Sequence, residues 1–303
     1  MGNNFSDQMV DRINKNFFKV NNILDLYLKN PDEKNIHDIR KSIRRAESAY
    51  MTLPEEYRNK KNFKEFIDQS KAFFKINSQI RDYDIYLQKI ESFKKTDKRN
   101  NKSKNNLNSH IFNRKYNTKN NSIVSEIQNL RKSKLLNATI AAEQLKDLEY
   151  PQIKKNNKKL YTKLNNRFKK VTKKFTRKIQ KNLPIVINYD SKVEELHTLR
   201  KDCKKFRYLL ELKEKSTDKM PDHNNNHEDD DLAKSIIKLE EIQDSLGQIH
   251  DCDALLSFFE RFEKFPETKT IMNKEGENRK NLYRQFVKKY RKSTLDLFFN
   301  NFY

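Results

Sequence analysis

Glycine is almost missing from this chain: three in 303 residues, beside six prolines and two cysteines. A β-rich fold with many tight turns needs far more of the first two, so their scarcity points to an all-α chain. It also removes the glycine-rich loops whose backbone amides cradle phosphate, so any anion binding must rest on side chains. Two cysteines, Cys203 and Cys252, cannot build a disulfide framework, and both read as core residues. No run approaches the roughly 18 apolar residues of a membrane-spanning helix. The opening MGNNFSDQMVDRINKN lacks the basic-then-apolar order of a secretory leader. Its first six residues fit only the loose N-myristoylation pattern, a short match in a chain rich in Asn and Lys. The expectation is a soluble, cytoplasmic protein with no membrane segment.

Acidic residues are also too few: 42 Asp and Glu stand against 65 Lys and Arg, a formal charge of +23. Such an excess favours polyanions as partners, whether nucleic acid, an anionic membrane or a phosphate polymer. What the chain does have is helical periodicity. It predicts helices over about 6–29, 32–52, 62–94, 122–149, 152–182, 190–214, 231–262 and 273–300, with boundaries good to about 2–4 residues. Pro31 falls near the start of the second, Pro151 opens the fifth, and Pro184 separates the fifth from the sixth. The eight helices divide four and four near residue 150, giving halves 1–150 and 151–303. Residues 94–121 carry nine cations, one acid and few apolar side chains, and read as a basic, disordered insertion. Residues 213–231 read as a polar loop that ends acidic. Its His223, His227 and acids could chelate a divalent ion loosely, but fit a solvated loop better.

The two halves share a phrase. IHDIRKSIRRAESAY at 36–50 matches LHTLRKDCKKFRYLL at 196–210, and SQIRDYDIYL at 78–87 matches GQIHDCDALL at 247–256. Two matching motifs in one order indicate an internal duplication and predict two similar helical bundles. On a helix, Ile36, Ile39, Ile43, Ala46 and Tyr50 form one stripe, and His37, Arg40, Lys41, Arg44 and Ser48 the next, with Arg45 also basic. In the second copy Leu196, Leu199, Cys203, Phe206 and Leu210 face inward, and His197, Arg200, Lys201, Lys204 and Tyr208 lie beside them, followed by Lys205. Like charges at these spacings cost a few tenths of a kcal/mol per pair. A solvated face would mix in Glu, so a duplicated cationic stripe beside the core points to an anion. Between residues 153 and 181 stand 13 cations and no acid. Lys163, Arg167, Lys170, Lys174, Arg177 and Lys181 make a row of roughly 27 Å, suited to a linear polyanion. Lys280, Arg284, Lys288 and Arg291 repeat the spacing near the end and are as compatible with a solvent face. Asp82 and Asp251 are placed to orient basic side chains by charge-assisted hydrogen bonds. As metal carboxylates they lack a clear His partner.

These paired motifs resemble the CHAD family, the conserved histidine α-helical domain, over about residues 5–300. The resemblance implies two four-helix bundles related by a pseudo-twofold, with a basic cleft between them that binds inorganic polyphosphate. By position it assigns His37, Arg40, Lys41, Arg44, Arg45, Arg81, His197, Arg200, Lys201, Lys204 and Lys205 to the ligand. His250 stands where another polar residue is common. Many relatives add a triphosphate tunnel metalloenzyme domain with an E-x-E-x-K strand. The nearest stretch here is EGENR at 275–279, without strands around it, so no such domain is expected. The leading expectation is thus a non-catalytic polyphosphate-binding module without a cofactor, associated in the cell with polyphosphate granules. The alternative is nucleic-acid binding by the same basic surface. Sequence-tolerant single-strand binding adds exposed aromatics, and most Phe and Tyr here follow the core stripes. An enzyme that makes or cuts polyphosphate would need a metal or nucleophile constellation that the chain does not assemble. Membrane-surface attachment would need an isolated amphipathic segment.

Overall fold

The computed structural model describes residues 2–102, 123–155, 158–213, 227–262 and 265–291. Among them are nine α-helices and no strand. They are α1 (Gly2–Lys29), α2 (Glu33–Thr52), the single turn α3 (Glu55–Arg58), α4 (Lys61–Lys102), α5 (Ile123–Lys146), α6 (Lys158–Asn188), α7 (Val193–Leu210), α8 (His227–Phe259) and α9 (Pro266–Tyr290), with a 3₁₀ turn at Glu260–Phe262. The all-α expectation holds. In the first half α1 packs on α2, α2 on α4, α4 on α5 and α5 back on α1. In the second, α6, α7, α8 and α9 repeat that cycle. The halves meet chiefly where α2 lies along α7.

Local chemistry explains most boundaries. Asp32 caps α2, its Oδ1 accepting from the Asn35 amide at 2.8 Å, directly after Pro31. The four-residue α3 follows Pro54, and no apolar periodicity announced it. Pro151 does not open a helix. It sits in an irregular segment held by a two-way bond in which the Ile153 amide donates to Asn14 Oδ1 and Asn14 Nδ2 donates to the Ile153 carbonyl. Nor does Pro184 end α6, which runs through it to Asn188. Proline removes one backbone bond there, but Phe175, Ile179, Leu183 and Val186 are all buried in phase, so packing holds both sides of the proline in one axis. Residues 95–102, read as the start of a disordered insertion, continue α4; the rest of that insertion lies outside the described residues, as do 214–226 and 292–303. The segment 275–279 falls inside α9.

One apolar cluster runs through all the long helices of both halves, from Met9, Ile13 and Phe17 on α1 to Phe286 and Tyr290 on α9. A second joins the halves again at the far ends of α4 and α8, where Tyr86 and Ile90 meet Leu255, Phe258 and Phe262. Tyr86 stacks on Phe258 at 4.6 Å. Cys203 and Cys252 are both buried, as their apolar positions foretold, and burial pushes both thiols up. No described helix is long and apolar enough to cross a membrane.

Candidate functional site

The α2–α7 contact brings the two histidine motifs together. Each helix buries its apolar stripe in the core, Ile36, Ile39, Ile43 and Ala46 on α2 and Leu196, Leu199, Cys203 and Phe206 on α7. The neighbouring basic stripes therefore face each other. Arg40 lies beside Arg200, Arg44 near Arg200 with both arginines beside Lys204, and Arg45 against Tyr208 and Glu211. Because the numbers rise together on both helices, α2 and α7 run parallel. Arg40, Arg44, Arg200 and Lys204 form the centre of this cluster, all partly buried.

Neighbouring elements hold the cations in place. Phe74 on α4 is a shelf for both α2 arginines: the guanidinium carbon of Arg44 sits 4.7 Å from its ring centroid and that of Arg40 5.5 Å. Arg40 also donates from Nη1 to the Ser78 carbonyl at 3.2 Å. Arg200 lies flat against α8 at Gly247, where a Cβ would come within 3.3 Å of its Nε. Glycine there leaves room for a guanidinium. Arg45, assigned to the ligand by position, is instead forked onto Glu211, its Nε and Nη2 each 2.8 Å from Oε2. His37, Lys201 and Lys205 are exposed and Lys41 partly so, on the rim.

The centre is electrostatically unbalanced. Among the described residues, Arg44, Arg200 and Lys204 make no salt bridge and no side-chain hydrogen bond, and Arg200 Nε is buried without an acceptor. Burial, then Arg44, Arg200, Arg207 and Arg40, push the Lys204 ammonium down to about 6. Arg40 is lowered to about 10 by burial and Arg44, and Arg44 is lowered chiefly by burial. The acids within reach are Asp82 and Glu47, and burial raises both. Asp82 sits near Arg40, His250, Asp251 and Arg200 but takes no hydrogen bond from any of them among the described residues. Asp251 meets His250, with His250 Nδ1 3.4 Å from its Oδ1.

The histidines occupy corresponding places with different neighbours. His37 lies beside Arg81 on α4; partial desolvation of its ring lowers it, Asp38 opposes, and Arg81, Arg40 and Lys41 lower it further. Arg81 itself pairs with Glu33 in the first turn of α2. His197 stacks on His250 of α8, ring centroids 4.3 Å apart and planes 20° from parallel. Burial, then His250, Lys201 and Arg200, hold His197 at about 4, and its Nδ1 is buried without a partner. His250 thus lies against His197 at the edge of the cluster. The signal was present in the alignment of the motifs, since His250 stands where Arg81 does.

Reading the motifs also missed the role of their second aspartates. Asp84 takes a hydrogen bond from Arg131 Nε on α5 at 2.6 Å, and Asp253 one from Arg279 Nε on α9 at 2.9 Å. Each ties the third long helix of its half to the fourth. Lys89 on α4 pairs with the buried Glu275 on α9 and ties the halves together.

The α6 cations lie elsewhere. Lys163 pairs with Glu56, Arg167 donates to the Met51 carbonyl at 3.2 Å, and Lys178 reaches Asp202 at 3.6 Å. Asp202 lies about 200° around α7 from Arg200 at 100° per residue, on the flank away from the cluster. Arg167, Lys170, Lys174 and Arg177 line a surface concavity of about 540 Å³ with Met51 of α2. Lys181 is exposed beyond it. On α9, Lys280 pairs with Glu277, and Arg284 donates to Asn281. Among the described residues no three His, Cys, Asp or Glu side chains gather as metal ligands.

Comparison with known proteins agrees with this architecture. No sequence among the curated proteins matches the chain. In structure it is similar to the crystal structure of the CHAD domain from the plant Ricinus communis, with 14% sequence identity and a TM-score of 0.51, over 98% of this chain and 91% of that one. At that identity the likeness shows the fold. The family model for the CHAD domain matches residues 20–260, which include both histidine motifs and both aspartate motifs, and the chain therefore belongs to the CHAD domain family.

Proposed function

We propose that the α2–α7 cluster binds inorganic polyphosphate without catalysing its turnover. The observation that carries this reading is the pair of cations Arg44 and Arg200, one from each half, partly buried and unpaired among the described residues, with the unpaired base Lys204 beside them. Buried charge is ordinarily paired, because desolvation without a partner is costly. A phosphate chain carries about one charge per unit and would supply acceptors to several of these groups at once. Arginine offers forked donors to it and lysine a point charge. Phe74 and Tyr208 already lie under arginines, and the exposed aromatics Phe18 and Tyr189 stand on α1 and after α6. Among the described residues no exposed Phe or Tyr therefore lies in the cluster as a base-stacking platform, which favours a phosphate chain over nucleic acid. The cellular setting that fits is the cytoplasm, at polyphosphate granules.

The test is a competition titration at near-physiological salt between long-chain polyphosphate and single-stranded RNA of matched charge. Wild type should prefer polyphosphate, and His37→Ala/Arg40→Ala/His197→Ala/Arg200→Ala should lose that preference. Equal binding of both polymers, unchanged in the variant, would mean that the net charge acts as a diffuse field.

The perturbed bases give the site a pH dependence. Empty, Lys204 is neutral above about 6 and His197 above about 4. A polyanion raises both, so binding takes up protons. For one coupled group, affinity rises by up to about tenfold per unit as pH falls from 8 to 6, and the Lys204 contribution levels off below that. In the empty protein the sign is opposite. The unfolded chain holds a proton on Lys204 that the folded chain sheds, so stability rises with pH between about 6 and 10.5. Calorimetry of polyphosphate binding at pH 7.5 in buffers of different ionisation enthalpy should show proton uptake that falls in Lys204→Met. Binding without proton uptake, or a flat pH profile, would remove Lys204 and His197 from the ligand contact.

A further inference from the structure

Helix α6 has 11 cations and no acid in its 31 residues. Lys163 and Lys178 have carboxylate partners, and Arg167 a carbonyl. Lys170, Lys174, Arg177 and Lys181 stand exposed, and among the described residues they make no salt bridge or side-chain hydrogen bond. They follow one another at spacings of 4, 3 and 4, so they form one row. From Lys170 to Lys181 that row measures about 17 Å at 1.5 Å per residue.

The row begins where the cluster stripe of α2 ends. His37, Arg40, Arg44 and Met51 are spaced 3, 4 and 7 apart and share a face of α2. Arg167 donates to the Met51 carbonyl, and Met51 closes the concavity that Lys170, Lys174 and Arg177 line. Unlike the cluster, the row is open along its length. Its aromatic neighbour, Phe175, is buried and offers no face for stacking a base.

We propose that this face of α6 is a second, open anion track, which engages the length of a long phosphate chain that extends beyond the α2–α7 cluster and so selects for chain length. The inference rests on the polyphosphate reading of the cluster. A short chain fills the cluster alone, whereas a long one reaches the track and gains contacts of the point-charge kind, sensitive to salt.

The experiment compares tripolyphosphate, long-chain polyphosphate and single-stranded RNA of matched charge on three full-length proteins: wild type, Lys170→Ala/Lys174→Ala/Arg177→Ala and Arg44→Ala/Arg200→Ala. All are checked by circular dichroism for wild-type helicity. The α6 variant should bind long chains at least about tenfold more weakly, leave tripolyphosphate within about twofold, and flatten the slope of log affinity against log salt by about 2, at roughly 0.7 per lost phosphate contact. The cluster variant should lose both ligands. Unchanged long-chain binding in the α6 variant overturns the track. Equal loss of both lengths overturns its separateness, and a loss confined to RNA of matched charge assigns the face to nucleic acid instead. If the cluster variant binds tripolyphosphate like wild type, the cluster reading fails, and the chain-length role fails with it whatever α6 binds.

Discussion

Replacing Arg44 and Arg200 together by methionine is expected to weaken polyphosphate binding by at least about a hundredfold while making the empty protein more stable. The two effects share one cause. Each arginine is partly buried and unpaired among the described residues, and both lie close to Lys204. A hydrogen bond to a charged group contributes about 1.5–3 kcal/mol, so two lost contacts amount to at least about two decades in affinity. In the empty state those cations repel one another and give up hydration without an acceptor. Methionine keeps the bulk and a sulfur against Phe74, and relieves about 1–2 kcal/mol of that cost. The melting temperature should rise by a few degrees, as is common where function requires an unfavourable arrangement. The checks are thermal unfolding of the ligand-free variant and titration with long-chain polyphosphate. A variant that loses binding and also melts earlier would show that the arginines hold the two halves together.

Asp253→Ala should have the opposite profile, with a large loss of stability and little change in ligand affinity. The Asp253–Arg279 pair is 2.9 Å long, and its side chains are 14% and 12% exposed. Removing one partner of a buried pair strands the other and costs about 3 kcal/mol. For a chain of this size that is a drop of roughly 6–12 °C in melting temperature. Asp84→Ala should cost less, because Arg131 is 26% exposed and water can take over part of its solvation. A cycle of Asp253→Ala, Arg279→Ala and the double variant isolates the pair from the second bond of Arg279, which donates to the Asp190 carbonyl at 2.8 Å. Below their midpoints these variants should bind polyphosphate within about threefold of wild type. Wild-type melting of Asp253→Ala would sink the assignment of this pair as the tie between α8 and α9.

The unequal legibility of these features has physical causes. Periodicity is a local property, so the apolar stripes of α2, α6 and α7 and the basic stripes beside them could be read directly and reappear as buried and less buried faces. Pro151 and Pro184 could not be read that way. Whether a proline opens, ends or merely interrupts a helix depends on whether packing holds both flanks, as it does at Leu183 and Val186. The single turn α3 is too short to show a period at all. Charge posed a similar difficulty. Arg44 and Arg45 are adjacent and alike in sequence, yet one faces a row of cations and the other is neutralised by Glu211, 166 positions away.

The sequence alone determined that the chain is helical, because it has too little glycine and proline for turns. It determined that the halves share two motifs in one order, and that cations flank the core stripe in both. Those are statements about spacing, which a helix converts into faces without outside help. Only the tertiary structure decided which faces meet. It set α2 parallel to α7, gave Arg45 a carboxylate while leaving Arg44, Arg200 and Lys204 without one, laid His250 on His197, and tied Lys178 of α6 to Asp202 on the far flank of α7. Each outcome turns on contacts between residues distant in the chain, and the free energy of a charge depends on what surrounds it.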